Sequence, residues 1–162
     1  AVRHGRFDGG GRAVDNPETE NQTMPDIEPV DFPATLERLA DIRALVERWC
    51  RGAGASPEDC HAVVLAVDEA CTNVVEHGYA GRDTGTLRLA FEGGENQVRV
   101  EIRDTGYAFD PGGAPVPDIE ADWDERPIGG LGWHLIRGMV DEVHYRSDDE
   151  GNLLTLVKNR TT

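Results

Sequence analysis

The segment from Val67 to His77 constrains this chain more than any other, because it places three polar side chains at four-residue intervals. Glu69, Asn73 and His77 then share one face of a predicted helix, while apolar residues of the same segment can face a core. A carboxylate beside an amide supplies the oxygen ligands that Mg²⁺ prefers, with phosphates and water completing its shell. The segment therefore indicates either a magnesium–nucleotide site or a polar stripe exposed to solvent.

A second candidate residue, Asp104, stands at the end of a predicted strand. The preceding run, residues 98–103, alternates between apolar and charged side chains, as a half-buried strand does. Gly106 follows in a tight turn, which leaves the carboxylate of Asp104 exposed. That carboxylate can accept a hydrogen bond from an amino group such as that of adenine, although an ordinary Asx turn explains the same pattern.

The third candidate is the glycine-rich start of a predicted helix, Gly129-Gly130-Leu131-Gly132. Glycines let the backbone approach a ligand closely, and the free N–H groups at a helix N-terminus bind phosphate. No Gly-Lys-Ser or Gly-Lys-Thr follows, so the segment is not a Walker loop. The segment is consistent with phosphate binding through the backbone N–H groups at the start of the helix.

In this order the three segments resemble the N box, first Gly box and second Gly box of the ATPases that include DNA gyrase, histidine kinases and MutL. Within that superfamily the chain is most similar to the small anti-sigma-factor serine/threonine kinases of bacteria. The resemblance covers roughly residues 29–160. The matching stretches are residues 68–73, 76–79, 104–106, 126–132, 139–143 and 151–156.

The resemblance implies a role for each candidate residue. Asn73 would coordinate a Mg²⁺ ion that bridges the phosphates of ATP, and Glu69 would be the general base that takes a proton from a serine or from water. Asp104 would accept a hydrogen bond from the adenine amino group, with Gly106 packed closely under the base. The remaining nucleotide contacts would come from Ala108, where the family usually has a second glycine, and from Arg126, Gly130, Leu131 and Gly132.

The order of predicted elements favours an α+β domain. We predict a strand, two helices, two strands, a long loop, a helix at residues 131–140 and two final strands, with hairpins around Gly93-Gly94 and Glu150-Gly151-Asn152. The fold implied by the resemblance agrees. It is a two-layer α/β sandwich with a mixed, mostly antiparallel sheet and helices on one face, the histidine-kinase-like ATPase fold.

Composition divides the chain into two parts. Residues 1–28 are rich in glycine and charge and are predicted to be a disordered N-terminal extension or tag. Residues 29–162 are predicted to form the ATP-binding kinase domain. Within it, residues 110–128 are rich in proline and glycine and lack periodicity, and the resemblance implies that they are an ATP lid that becomes more ordered with nucleotide.

Charge and hydropathy narrow the range of partners. The chain has 31 acidic residues against 16 Lys and Arg, a formal charge of −15, which argues against direct nucleic-acid binding. No apolar run approaches the ~20 residues of a membrane span, and we find no secretory signal. Three cysteines cannot all pair with one another, so we expect buried free thiols and a cytoplasmic location.

The function implied by the resemblance is that of an ATP-dependent protein-serine kinase and anti-sigma regulator in a partner-switching pathway, with ATP and Mg²⁺ as cofactors. Its partners would be an anti-anti-sigma antagonist protein, phosphorylated on Ser or Thr, and a sigma factor, and a homodimer is compatible with this role.

The alternative is a nucleotide-gated binding module that sequesters a partner without efficient phosphotransfer. Glu69 favours the kinase, whereas the acidic residues within 118–125 favour the binding module. A histidine kinase and an unrelated metabolic enzyme are further alternatives.

Overall fold

The computed structural model describes residues 27–79, 83, 85–108 and 130–161. Its helices and strands follow the predicted order. They are β1 (Val30–Pro33), a 3₁₀ turn (Leu36–Arg38), α1 (Leu39–Gly52), α2 (Pro57–Asn73), a π-helical turn (Val74–Gly78), β2 (Thr86–Gly93), β3 (Gln97–Asp104), α3 (Gly130–Met139), β4 (Glu142–Asp148) and β5 (Gly151–Asn159).

The described strands form one sheet in the order β1-β2-β3-β5-β4, and each of these pairs is antiparallel. The sheet was predicted to be mixed, but its described pairs include no parallel one. The reason is the position of the β4–β5 hairpin: β5 inserts between β3 and β4 and runs opposite to both. The predicted α+β sandwich is confirmed, and the register sets Asp104 opposite Asn152.

The helices cover one face of the sheet. In β3 the side chains of Val98, Val100 and Ile102 are buried, and those between them are partly exposed. This alternation is typical of a sheet with one face against a core. The aromatic rings of Trp49 in α1 and Phe91 in β2 have their centroids 4.9 Å apart, which joins the two layers. Among the described helices, none is long and apolar enough to cross a membrane.

The first helix begins later than its apolar pattern predicts. Leu39, Ile42, Val46 and Trp49 are buried as expected for an amphipathic helix. Leu36, predicted to belong to the same stripe, is 58% exposed. It lies in the preceding 3₁₀ turn, whose three-residue period takes its side chain out of register with the α-helical stripe.

All three cysteines are buried free thiols within the helical layer, as predicted. Burial, with a smaller contribution from the neighbouring Cys60, raises the pKa of the Cys50 thiol to about 12. Burial also raises the pKa of Cys60 and of Cys71. Each thiol therefore remains protonated at neutral pH.

The start of α2 is fixed by the cap that its sequence predicts. Ser56 is the N-cap, its hydroxyl accepts a hydrogen bond from the backbone N–H of Asp59 at 3.1 Å, and Pro57 occupies the first turn. The buried Asp59 carboxylate in turn accepts two hydrogen bonds from Thr161, each 2.8 Å long. The segment that follows the last strand is thereby tied to the start of α2.

Replacing Ser56 by Ala is expected to lower the free energy of unfolding by about 1 kcal/mol, because the N–H of Asp59 loses its acceptor. Urea denaturation of the two proteins measures this difference. Ser147→Ala, at an exposed position in β4, is the matched control and should stay within about 0.5 kcal/mol of the unchanged protein. Equal losses in the two variants would show that the cap does not stabilise α2.

Candidate functional site

The candidate residues of α2 do share one side of the molecule, but a change of helix type separates them. The sequence predicts a single helix to about Gly78. The α-helix instead ends at Asn73, and the next turn, Val74–Gly78, is π-helical. A π turn inserts an extra residue into the helical repeat and often occurs at functional sites. Asn73 and His77 nevertheless line the same cleft.

That cleft lies between α2, α3 and one end of the sheet and encloses about 490 Å³, including space open to solvent. Most of its lining is apolar, as is usual for a small-molecule site, and a few polar groups enter it from α2 and β3. The lining residues are Ala70, Asn73, Val74, His77, Gly78, Ile102, Asp104, Tyr107, Ala108, Trp133, Tyr145 and Leu154.

Asp104 contributes a carboxylate to the lining of this cleft. It was predicted to be exposed, but it is 8% exposed, because the turn after β3 and Asn152 of β5 contact its carboxylate. Its Oδ1 atom accepts hydrogen bonds from the N–H of Gly106 and from Nδ2 of Asn152, both at 2.9 Å. Burial raises the pKa of Asp104, and these two hydrogen bonds oppose that rise by stabilising the ionised form.

Gly106 lies where only a glycine fits. A Cβ atom there would come within 2.5 Å of the carbonyl oxygen of Gly78. The same carbonyl accepts a hydrogen bond from the N–H of Tyr107 at 2.6 Å, so the turn after β3 packs directly on the end of the π-helical turn. Ala108 lines the cleft two residues later, and its methyl group is accommodated there.

Tyr79 holds the turn after β3 in place through a hydrogen bond to Thr105. Its ring is buried, and its hydroxyl accepts a hydrogen bond from the N–H of Thr105 at 3.0 Å. The hydroxyl also donates to the carbonyl oxygen of Thr86 at 3.3 Å. The residue that follows Asp104 is therefore anchored to both the π-helical turn and β2.

The start of α3 lies against Glu69 and Asn73. A Cβ atom on Gly132 would be 3.2 Å from Oε2 of Glu69 and 3.4 Å from Nδ2 of Asn73. Glycine therefore permits the close approach of the two helices. Gly130 is the first residue of α3, whose first turn presents backbone N–H groups without intrahelical partners. Arg126 and the side chain of Leu131, also predicted to bind nucleotide, lie outside the described residues.

Asn73 carries a buried amide nitrogen, Nδ2, whose hydrogen-bonding capacity is unused among the described residues. A buried amide without a partner costs free energy, so such groups are usually satisfied in the functional state. An oxygen-rich group such as a phosphate with its hydrated metal ion fits beside it, since the amide offers both a donor and an oxygen ligand.

Glu69 is a carboxylate in a negative environment. It is partly buried, and burial is the main cause that raises its pKa, with further contributions from the charges of Asp68 and Glu76. Asp68 is itself paired with Arg43 of α1 at 2.8 Å. Burial and the two neighbouring charges thus disfavour the ionised form of Glu69, which strengthens its affinity for a proton.

The structure adds residues that sequence reasoning did not assign to the site. Trp133 and Tyr145 line the cleft, although the sequence predicts Trp133 only as part of a helix. Asn152 reaches Asp104 across the β3–β5 pair. The sequence places Asn152 in a predicted hairpin turn and in the matching stretch 151–156, but assigns it no role. The strand register is what brings it to Asp104.

Comparisons with known proteins point to one family. The family model described as "Histidine kinase-like ATPase domain" matches residues 32–158. A "Serine-protein kinase RsbW" of Halalkalibacterium halodurans is 30% identical over 156 residues, which cover 90% of this chain and 85% of that protein. One of the same name from Bacillus thuringiensis is 30% identical over 131 residues, covering 78% and 81% of the two chains.

A solved structure, that of the RsbU and RsbW domains of a Mycobacterium tuberculosis protein, superimposes with a TM-score of 0.56 at 22% identity. The match covers 84% of this chain and 34% of that one, and it supports the fold. The family model spans most of the chain, and both kinases are 30% identical to it over most of its length. The chain therefore belongs to the histidine kinase-like ATPase family, in the group that contains the RsbW serine-protein kinases.

Proposed function

We propose that this protein is an ATP-dependent protein-serine kinase and anti-sigma regulator of a partner-switching pathway. The observation that carries the proposal is that Asn73 and Asp104 line one cleft, with Glu69 and the glycine-rich start of α3 beside Asn73. The names of the relatives, serine-protein kinases, support the same activity.

The cleft suits ATP in one orientation. Its apolar walls accept the adenine ring, and the carboxylate of Asp104 accepts a hydrogen bond from the amino group of that ring. The phosphates then extend toward Asn73 and the N–H groups at the start of α3, where Gly130 and Gly132 leave room for them. The segment containing Arg126 and the backbone at Leu131 are proposed to complete the phosphate contacts.

Asn73 is proposed to hold Mg²⁺ through its amide oxygen, with the amide N–H hydrogen-bonded to a phosphate oxygen or to water. A bound Mg²⁺ neutralises the charge that develops on the transferred phosphoryl group and orients it. Glu69, one helical turn earlier, accepts the proton of the attacking serine hydroxyl. The phosphorus–oxygen bond to ADP breaks, the bond to the serine oxygen forms, and the proton remains on Glu69.

The partners follow from this activity. The serine belongs to an anti-anti-sigma antagonist protein, and a sigma factor is the second partner, with a homodimer as the proposed assembly. The cytoplasm, where ATP and the transcription machinery are found, is the proposed location. The net charge of −15 suits recognition of basic protein surfaces and opposes direct binding of nucleic acid.

Isothermal titration calorimetry tests the nucleotide site. The unchanged protein is expected to bind ATP more tightly with Mg²⁺ than with a chelator. Asn73→Ala should lose the magnesium-dependent part of the affinity, roughly tenfold to a hundredfold, because a polar contact to a charged group is removed. Affinity in the chelator should change little.

Asn159→Ala, at an exposed position at the far end of β5, serves as the control and should bind as the unchanged protein does. If the unchanged protein binds neither ATP nor ADP, the proposed function is wrong. If it binds ATP but Asn73→Ala keeps the full effect of Mg²⁺, the metal assignment alone is wrong.

A further inference from the structure

Asn152 makes the contacts of a residue that holds a binding group in place. It is a buried polar side chain, 3% exposed, on the strand next to that of Asp104. Its Nδ2 atom lies 2.9 Å from Oδ1 of Asp104, 3.0 Å from the carbonyl oxygen of Gly106 and 3.5 Å from that of Tyr107. One amide group therefore joins the strand end to the turn that follows it.

The orientation of the Asn152 amide follows from its neighbours. All three oxygens around it are acceptors: a carboxylate and two backbone carbonyls. Only the NH₂ end can face them, because the amide oxygen would face three other oxygens without a donor. The two N–H groups serve Asp104 and Gly106, and Tyr107 shares one of them at longer range.

The two carboxylate oxygens of Asp104 differ in the number of hydrogen bonds that they accept. Oδ1 has two donors, the N–H of Gly106 and the amide of Asn152. Oδ2 has no donor among the described residues. An ionised carboxylate can accept more than two hydrogen bonds in total. Oδ2 is therefore the oxygen of Asp104 that is left to accept a hydrogen bond from a ligand.

The backbone at Gly151 permits the close approach. Its φ is +114°, and a Cβ atom there would overlap the carbonyl oxygen of Asp104. With glycine at this position, β5 reaches the last residue of β3 and places Asn152 directly opposite Asp104 in the register. Both the strand pairing and the side chain therefore fix Asp104.

We propose that Asn152 is the positioning residue that directs the Asp104 carboxylate toward the 6-amino group of adenine and so sets the base specificity of this protein. The inference rests on the proposed ATP site. By saturating Oδ1, Asn152 leaves Oδ2 as the acceptor for the amino group. By donating to Asp104, it also favours the ionised form, which accepts the amino hydrogen and repels an oxo group at the same ring position.

The test compares two ligands that differ at one position of the base. Purine riboside triphosphate lacks the 6-amino group of ATP, so the ratio of the two dissociation constants measures the amino contact. The unchanged protein is expected to prefer ATP by roughly tenfold to a hundredfold, as for a hydrogen bond to a charged group. In Asn152→Leu the preference should fall to within about threefold of unity. Affinity for the analogue should change little.

Thr155→Val, on the same strand, is the matched control. It also removes a buried polar group, but it lies three residues from Asn152 and does not line the cleft. It should keep the preference for ATP. If Asn152→Leu does not fold, Asn152→Ala removes the same hydrogen bonds without adding bulk, and the same loss of preference is expected.

Equal weakening of both ligands, with the preference retained in the Asn152 variant, would reduce Asn152 to a structural residue and overturn the inference. A preference near unity in the unchanged protein would overturn it too, while leaving ATP binding in place. If the unchanged protein binds neither ligand, the proposed function fails and this inference fails with it.

Discussion

Glu69→Gln is expected to lower the rate of serine phosphorylation roughly 10²–10⁴-fold, the usual loss when a general base is removed. Glutamine keeps the shape of the side chain but cannot accept the serine proton. The affinity for ATP should change little, since Glu69 lies beside Asn73 and Gly132 and not on the cleft lining. Single-turnover phosphorylation of the antagonist, with ATP affinity measured in parallel, separates the two effects.

The pH dependence of the reaction provides a second measurement on the same residue. A base is active only when ionised, so the rate falls as pH drops through its pKa. Burial and two neighbouring charges raise the pKa of Glu69, and the rate should therefore fall at a higher pH than it would for an ordinary glutamate. Glu76→Gln removes one of those charges and should move this fall to lower pH by a small amount, because Glu76 is half exposed and screened by water.

The base assignment is wrong if Glu69→Gln phosphorylates the antagonist as fast as the unchanged protein. The kinase activity itself is wrong if neither protein transfers phosphate to a partner that binds. The nucleotide-gated binding module is then the better description.

Gly106→Ala is expected to abolish most nucleotide binding and to destabilise the fold by about 1–3 kcal/mol or more, as overpacking against a rigid backbone does. The new Cβ atom would come within 2.5 Å of the carbonyl oxygen of Gly78 and 2.7 Å of its carbon. The turn must then move away, and it takes with it the N–H that holds Asp104. Thermal unfolding and ATP calorimetry measure the two losses.

Gly138→Ala is the control that the chain itself offers. Gly138 lies in α3, which also borders the cleft. Apart from its chain neighbours and the backbone of α3 itself, no described atom lies within 4 Å of a Cβ atom added at Gly138. Alanine in a helix is favoured over glycine by up to about 1 kcal/mol, so this variant should be as stable as the unchanged protein or more so, and should bind ATP normally. Similar behaviour of the two variants would show that Gly106 is not in a close contact.

The local part of the site is predictable from sequence. Glu69 and Asn73 are one turn apart on a helix whose cap and apolar pattern are both visible, so their common face follows from helix geometry. The alternation before Asp104 likewise predicts the strand that carries it. The change to a π-helical turn after Asn73 has no comparable pattern in the sequence. Its last residue, Gly78, contacts Gly106, which lies two strands further along the chain.

The long-range part of the site depends on strand register. Asp104 and Asn152 are separated by 48 residues, and they meet because β5 inserts between β3 and β4. A predicted hairpin at residues 150–152 does not say which strand lies next to it. The burial of Asp104 and the placement of Tyr145 and Trp133 in the cleft follow from the same packing, so a pattern within one element cannot predict them.

The three protonated, buried thiols affect how fast the protein is oxidised, and they allow the opening of its helical layer to be measured. Thiol reagents and peroxides attack the thiolate, so Cys50, Cys60 and Cys71 react only when the helical layer opens and exposes them. Their rate of labelling then reports the frequency of that opening. A ligand that holds α2 and α3 together would slow labelling and extend the chemical lifetime of the protein under oxidising conditions.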